Sequence, residues 1–279
     1  MTPSRSAPTR GRPRHPDRIE RVWTETPGGR APAPFSAEDE RLYRKQRLAA
    51  GFRIFARCGF ALGDAGHITA RDPERPDCFW VNPAGVHFSR ITVSELMLVD
   101  GRGRIVEPPR TAPARLNPAA FGIHSELHKA RPDIVAAAHA HSPCGMAWSS
   151  LGRLLDPLTQ DAAAFFEDLA LFCDYSGVVL DTDEGARIAE ALGSRNAAIL
   201  QNHGLLTAGA SVESAVWRFV SLESVCQVQL LAEAAGQTRP MPAQVARLTA
   251  SQLGGENACV DAFEPYWSVA ADDEPDLFD

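Results

Sequence analysis

Segments of strand character and segments of helix character alternate along this chain, and the alternation predicts a single domain of mixed class, α/β or α+β. Two further observations support it. The segments are separated by short runs of Gly, Pro, Asn and Ser, and no internal repeat divides them into units. With 279 residues, 44% hydrophobic and 23% charged, the chain is long enough to bury one sizeable core.

Residues 1–34 differ from the rest. They are rich in Pro, Arg, Ser, Thr and Gly and poor in aliphatic residues, so they are expected to form a mobile basic arm that cannot offset its own ordering entropy. Within it, "RGRPR" (Arg10 to Arg14) resembles the core of a minor-groove binding hook, but one short motif in an acidic chain reads better as a solvated tail. The main domain is expected over residues 35–270.

Ser36 is a serine cap, followed by acids in the first turn and by Leu48, Phe52, Phe55 and Ala56 at helical spacing, with Gly59 as the stop. "GHITARD" and "DCFWVNPAGVHF" alternate and read as strands, and "ELMLVDGRGRIVE" as two strands around a glycine turn. Asn117-Pro118 opens a helix running to about Ala130. "DIVAAAHAH" is a strand, Ser142-Pro143 opens another helix, and "YSGVVLD" reads as a short strand. "TDEGARIAEALG" is a helix, "AAILQN" and "LLTAG" are strands broken at His203-Gly204, and a long helix runs from Ser211 to Gly236. Residues 271–279 are expected to be a frayed acidic tail.

The net charge of −7 gives no global attraction to nucleic acid or anionic lipid. No apolar run approaches the ~18 residues of a membrane span, and no apolar leader is visible. The six cysteines are scattered without a C-x-x-C pair and read as reduced thiols. The expectation is a soluble cytoplasmic protein.

The chemistry concentrates in "IVAAAHAHSPCGMAW". Residues i and i+2 of a strand share a face, so His139 and His141 project side by side from a strand that is apolar on both faces. Buried imidazoles need partners. A divalent metal suits two parallel imidazoles best; hydrogen-bonded core histidines are the alternative. Among the other histidines, His203 in "LQNHGLL" ends an apolar strand and is followed by Gly, where a side chain can be aimed into a cleft. That favours it as a third ligand over His124, which sits four residues before His128 on the Asn117 helix.

"HSELHKARPDIVAAAHAHSP" followed by "ILQNHGLLTAG", with "GHITARD" and "WVNPAGVHF" upstream, resembles the class II aldolase/adducin superfamily over about residues 40 to 240. The resemblance implies an α/β fold of three αβα layers, with a central mixed, largely antiparallel sheet. It implies His139, His141 and His203 as the three metal ligands, and a ring-like homotetramer with active sites between subunits. Aldolases of the family carry a catalytic carboxylate four residues before the histidine that matches His124, with serines ahead of it that grip a sugar phosphate. Here those positions hold Ala120, Pro118 and Ala119, and the family's "G-N-x-S" asparagine is His67. An alanine cannot move a proton, so the metal triad is retained without the aldol machinery. Glu126 lies about 200° around the helix from His124 and is not a substitute. Glu167 reads as a salt-bridge residue.

Trp148, Phe165, Phe166 and Phe172 lie along the nearby segments. Trp148, Phe165 and Phe166, with Ala120 and His124, are the candidate substrate-binding set for a flat aromatic molecule. The combination resembles the non-haem iron oxygenases of aminocoumarin antibiotic biosynthesis. That resemblance implies Fe(II)- and O₂-dependent oxidative decarboxylation of a prenylated 4-hydroxyphenylpyruvate, through a mandelate, to a benzoate. Two other readings stand beside it: a zinc-dependent aldolase, C–C lyase or epimerase on an unphosphorylated carbonyl compound, and a non-catalytic scaffold as in adducin.

Overall fold

The computed structural model of the chain describes residues 15–21, 23–26, 29–32, 35–178 and 182–279. A short hairpin, β1 (Trp23–Thr26) and β2 (Gly29–Pro32), precedes the long helix α1 (Ala37–Arg57). Ser36 caps α1 by accepting from the Asp39 amide, as its sequence position predicts. There follow β3 (His67–Arg71), β4 (Cys78–Val81), β5 (Met97–Asp100), β6 (Ile105–Glu107), α2 (Pro118–Ala130), β7 (Ala136–Ala140), α3 (Pro143–Ser149) and α4 (Gln160–Ala163). The chain continues through β8 (Leu169–Phe172), α5 (Thr182–Leu192), β9 (Ala197–Leu200), β10 (Gly204–Gly209), α6 (Val212–Ala235), α7 (Ala243–Leu253) and α8 (Glu256–Asp273).

Strands β3 to β10 form one eight-stranded sheet in the order β6-β5-β4-β3-β7-β10-β9-β8. Every neighbour pair is antiparallel except β8 with β9. The sheet is therefore mixed and largely antiparallel, in agreement with the expected α/β class. Its alternating residues feed two apolar layers. Ala136, Ala138 and Ala140 of β7 pack with Phe52, Phe55, Phe219 and Phe263 of α1, α6 and α8. Ala137 points the other way and packs with Ile123 and Leu127 of α2 and Ile188 of α5. Small residues let α2 and α5 approach closely: a Cβ at Gly185 would lie 1.9 Å from the Gly122 carbonyl oxygen. No helix among the described residues is long and apolar enough to cross a membrane.

Three sequence expectations change. The strand expected in "YSGVVLD" is absent over residues 175–178, and residues 179–181 lie outside those described. The edge strand at the β9 end of the sheet is β8, whose "LALF" has too little alternation to stand out. The acidic tail is not frayed. Leu277 and Phe278 are buried, and Arg53 binds Glu274 at 2.9 Å and Asp276 at 2.8 Å. The acids thus serve as partners for a buried guanidinium, which composition alone does not reveal. Residues 15–21, expected within the mobile arm, lie against the domain. The Ile19 amide donates to Gln46, Arg18 pairs with Asp272, and Glu20 accepts from Arg47 and from the Trp267 indole. The "RGRPR" motif falls outside the described residues.

Candidate metal centre

β7 sits in the middle of the sheet, hydrogen-bonded to β3 on one side and β10 on the other. Register places His139 directly opposite His67 on β3 and Leu206 on β10. Directly opposed residues share a face, so both histidines point toward the α2 side. His141 follows the last residue of β7, and His203 lies in the turn joining β9 to β10. That turn must pass close to β7: a Cβ at position 204 would come within 3.3 Å of the Ala140 carbonyl oxygen, so glycine follows His203.

These local constraints bring His139, His141 and His203 together. One nitrogen from each lies within 4.8 Å of the other two. Ring centroids are 5.3 Å apart for His139–His141, 4.7 Å for His139–His203 and 5.1 Å for His141–His203. His139 Nδ1 lies 2.7 Å from the Leu205 carbonyl oxygen. A carbonyl only accepts, so Nδ1 carries the proton and Nε2 presents its lone pair to the centre. Burial, together with the neighbouring His203, His67 and His141, pushes the His139 pKa well below the usual histidine range. Burial and His141 push His203 down to about 4, and burial lowers His141. All three are neutral near pH 7, the form that a cation requires. The donor set fits a divalent metal: three convergent neutral imidazoles, one with its tautomer set by a backbone carbonyl.

A second group of histidines lies between β3 and α2. His67 Nδ1 is 2.8 Å from His124 Nε2, His124 Nδ1 is 2.6 Å from Thr69 Oγ1, and Thr69 Oγ1 is 2.9 Å from His128 Nε2. The i, i+4 spacing of His124 and His128 thus aims both at the Thr69 hydroxyl rather than at an ion. Burial pushes His67 and His124 well down and His128 down to about 3.

The triad opens onto a cavity of about 290 Å³ that is also lined by His67, Asn117, Ala119, Ile123, Tyr175 and Asp64. Of the expected substrate-binding set, Ala120 and His124 are adjacent to this cavity in the chain but are buried and do not line it; Ala119 and Ile123 do. The one-residue offset follows from the pitch of α2. Trp148 and Phe165 do not line it either. Both are buried in the apolar layer beneath the sheet, with the Trp148 indole donating to the Arg153 carbonyl. Phe166 and Phe165 border a different cavity, beside Leu154 and Arg195. Phe172 is core on the α2 and α5 side. The strong burial preference of large aromatics outweighed their nearness in sequence to the ligands. Glu126 pairs with Lys129 and Glu167 with Arg247, as salt-bridge residues.

Three cavity residues were not foreseen. Tyr175, 6.0 Å from His203 between ring centroids, opens "YSGVVLD", a segment that the sequence marked only as a short strand. Asp64 is an exposed carboxylate at the rim whose Oδ1 accepts from the Gly85 amide at 2.6 Å. His67 was visible only as a departure from the family pattern, and its partners are distant in sequence.

Residues 46–230 match the family described as Class II Aldolase and Adducin N-terminal domain. The chain belongs to this family. It is 46% identical over 241 residues to the 4-hydroxy-3-prenylphenylpyruvate oxygenase/4-hydroxy-3-prenylbenzoate synthase of Streptomyces roseochromogenus subsp. oscitans, covering 86% of each chain. It is also 46% identical to Decarboxylase NovR of Streptomyces niveus, over 86% of this chain and 88% of that one. Among solved structures it resembles the L-fuculose 1-phosphate aldolase from Glaciozyma antarctica PI12, with a TM-score of 0.83 and 44% identity over 89% of this chain and 96% of the other. Both Streptomyces relatives are named as enzymes, and together with the family fold they support an enzyme here as well.

Proposed function

We propose that the protein is a non-haem Fe(II)- and O₂-dependent oxygenase that oxidatively decarboxylates an aromatic 2-oxo or 2-hydroxy acid of the prenylated 4-hydroxyphenylpyruvate or mandelate type. One observation carries the reading. The cavity holds three neutral, convergent imidazoles, and the α2 wall facing them presents Ala119 and Ile123 with no carboxylate. That wall cannot perform the proton transfer of an aldol cleavage, but it suits an aromatic ring. The names of the two Streptomyces relatives support the same chemistry.

His139 Nε2, His141 and His203 would hold the metal. Bound Fe(II) supplies open positions for a chelating acid and for redox chemistry with O₂. The chain does the rest. Ala119 and Ile123 form the apolar side of the cavity and keep water from it. Tyr175 offers a phenol at the open side, and its 41% exposure leaves it accessible to an entering ligand. Leu205 holds the His139 ring in the ligating tautomer through its carbonyl.

Reconstitution with ferrous ion under anaerobic conditions, followed by oxygen uptake with 4-hydroxyphenylpyruvate and 4-hydroxymandelate analogues, tests the proposal. Uptake coupled to CO₂ release is the expected result. No uptake with any such acid removes it.

The second reading, a zinc-dependent lyase, is favoured by Asp64 at the rim and by the likeness to an aldolase structure. Cleavage of a carbonyl substrate under nitrogen would establish it. A scaffold without chemistry has no use for convergent imidazoles. We further propose that the protein is a cytoplasmic homotetramer with active sites between subunits; light scattering of the purified chain reads its mass.

A further inference from the structure

The cavity beside the triad carries a charge at one edge. Among the described residues that line it there is no Lys or Arg, and Asp64 is the only acid. The carboxylate is held from two sides. Its Oδ1 accepts from the Gly85 amide at 2.6 Å, and the Asp64 carbonyl accepts from Asn117 Nδ2 at 3.2 Å. Asn117 is itself fixed, because its Oδ1 accepts from the Ala119 and Ala120 amides at the start of α2. Asp64 Oδ2 has no hydrogen-bond partner and no cation pairs with it among the described residues. The sheet order gives this edge a side. Asp64 precedes β3 and Gly85 follows β4, on one flank of β7. His203 follows β9 and Tyr175 follows β8, on the other flank. From the Asn117 contact the wall continues through Ala119 and Ile123.

We propose that Asp64 determines specificity for the end of the substrate remote from the triad: its Oδ2 accepts the ring hydroxyl of a 4-hydroxyphenyl acid whose carboxyl end lies at the three histidines. The proposal rests on the acid-substrate reading above for the identity of that acid. Two effects follow from the chemistry of the group. A carboxylate offers only acceptors, so it rewards an O–H and gives nothing to an ether oxygen in the same place. It also repels a second anion, and no cationic side chain among the described lining residues offsets its charge. A ring with a carboxylate or phosphate in the para position is therefore disfavoured. Asp64 is exposed, so water screens both effects and holds each to about tenfold. Asn117 is a positioning residue that ties the Asp64 backbone to the start of α2, and with it to the apolar wall along which the ring lies.

The test uses the full chain loaded with Zn(II) and calorimetric titration with 4-hydroxymandelate, 4-methoxymandelate and 4-carboxymandelate. The wild-type chain should bind the hydroxy acid about tenfold more tightly than the methoxy acid, the worth of one good hydrogen bond, and the carboxy acid more weakly than either. Asp64→Asn keeps an acceptor for the Gly85 amide and replaces the other oxygen by an NH₂ donor, which serves a hydroxyl and an ether oxygen alike. In this variant the hydroxyl preference should fall to about twofold or less, and the carboxy acid should gain about tenfold. Zn(II) affinity and the unfolding midpoint of Asp64→Asn should match the wild type, since Asp64 stands outside the three convergent nitrogens; a merely structural role would move them. The wild-type comparison of hydroxy and carboxy acids stands even if the variant unfolds. An unchanged hydroxyl preference in Asp64→Asn, or wild-type binding of the carboxy acid as tight as that of the hydroxy acid, overturns the proposal. Failure of all three acids to bind removes the acid-substrate reading and the proposal with it, so the two failures are distinct.

Discussion

Acidifying the metal-free protein from about pH 6 to about pH 5 should weaken it through its buried histidines. The ordinary histidine value is 6.5, and the folded protein holds His128 at about 3 and His203 at about 4. Because the folded values are depressed, the unfolded chain binds more protons across this window. The contribution to stability is full above the unfolded value and is lost as pH falls toward the folded ones. Integrating the linkage relation, each of these two groups forfeits about 0.8 kcal/mol by pH 6 and about 2 kcal/mol by pH 5. The pair therefore removes about 2.4 kcal/mol between those pH values, and His67, His124 and His139 act in the same direction. Carboxylates with lowered values, such as Asp72 and Glu95, exert their loss mainly below this window. Urea unfolding followed by fluorescence at several pH values gives the curve. His203→Asn should flatten it by about 1.2 kcal/mol over the same interval. A flat profile between pH 6 and 5, or uptake of less than one proton on unfolding there, would refute the claim that these imidazoles are buried and neutral.

Three further outcomes follow from the geometry. Replacing any one of His139, His141 or His203 by Ala should weaken binding of Zn(II) or Fe(II) by at least about 100-fold, because two nitrogens remain of three; calorimetric titration measures it. Glu223 caps α3 directly after His141, accepting from the Ser142 hydroxyl and the Cys144 and Gly145 amides. Glu223→Gln should lower stability by about 2 kcal/mol in denaturant unfolding and loosen metal binding through the displaced His141. Gly185→Ala should cost about 2–3 kcal/mol by thermal unfolding, since the new methyl would meet the Gly122 carbonyl and push α5 away from α2.

Most of the elements were legible because their signals are local. The Ser36 cap, the Asn117-Pro118 start and the Gly236 stop each mark a boundary by side-chain or backbone chemistry within a few residues. Residues 175–178 of "YSGVVLD" form no strand, because apolar and aromatic residues in a short run imitate a strand signal without a pairing partner. β8 was overlooked because a short apolar run at a sheet edge carries no period of its own. The tail and residues 15–21 looked loose by composition. Their order comes from Arg53, Arg47 and Trp267, which lie far away in the chain.

The sequence by itself pointed to the candidate triad: H-x-H on a strand places two imidazoles on one face, a histidine before glycine at the end of a later apolar strand is favoured over His124 as the third, and the family resemblance implies the same set. It also determined the missing acid, since Ala120 has no proton to give. Only the tertiary structure decided what borders the cavity and how the other histidines are used. Whether Trp148 is core or pocket, and whether His124 meets an ion, a substrate or a threonine, depends on which strand lies beneath α2. That pairing is set by the register of β3 against β7, a contact between residues about 70 apart in the chain, and no local period encodes it.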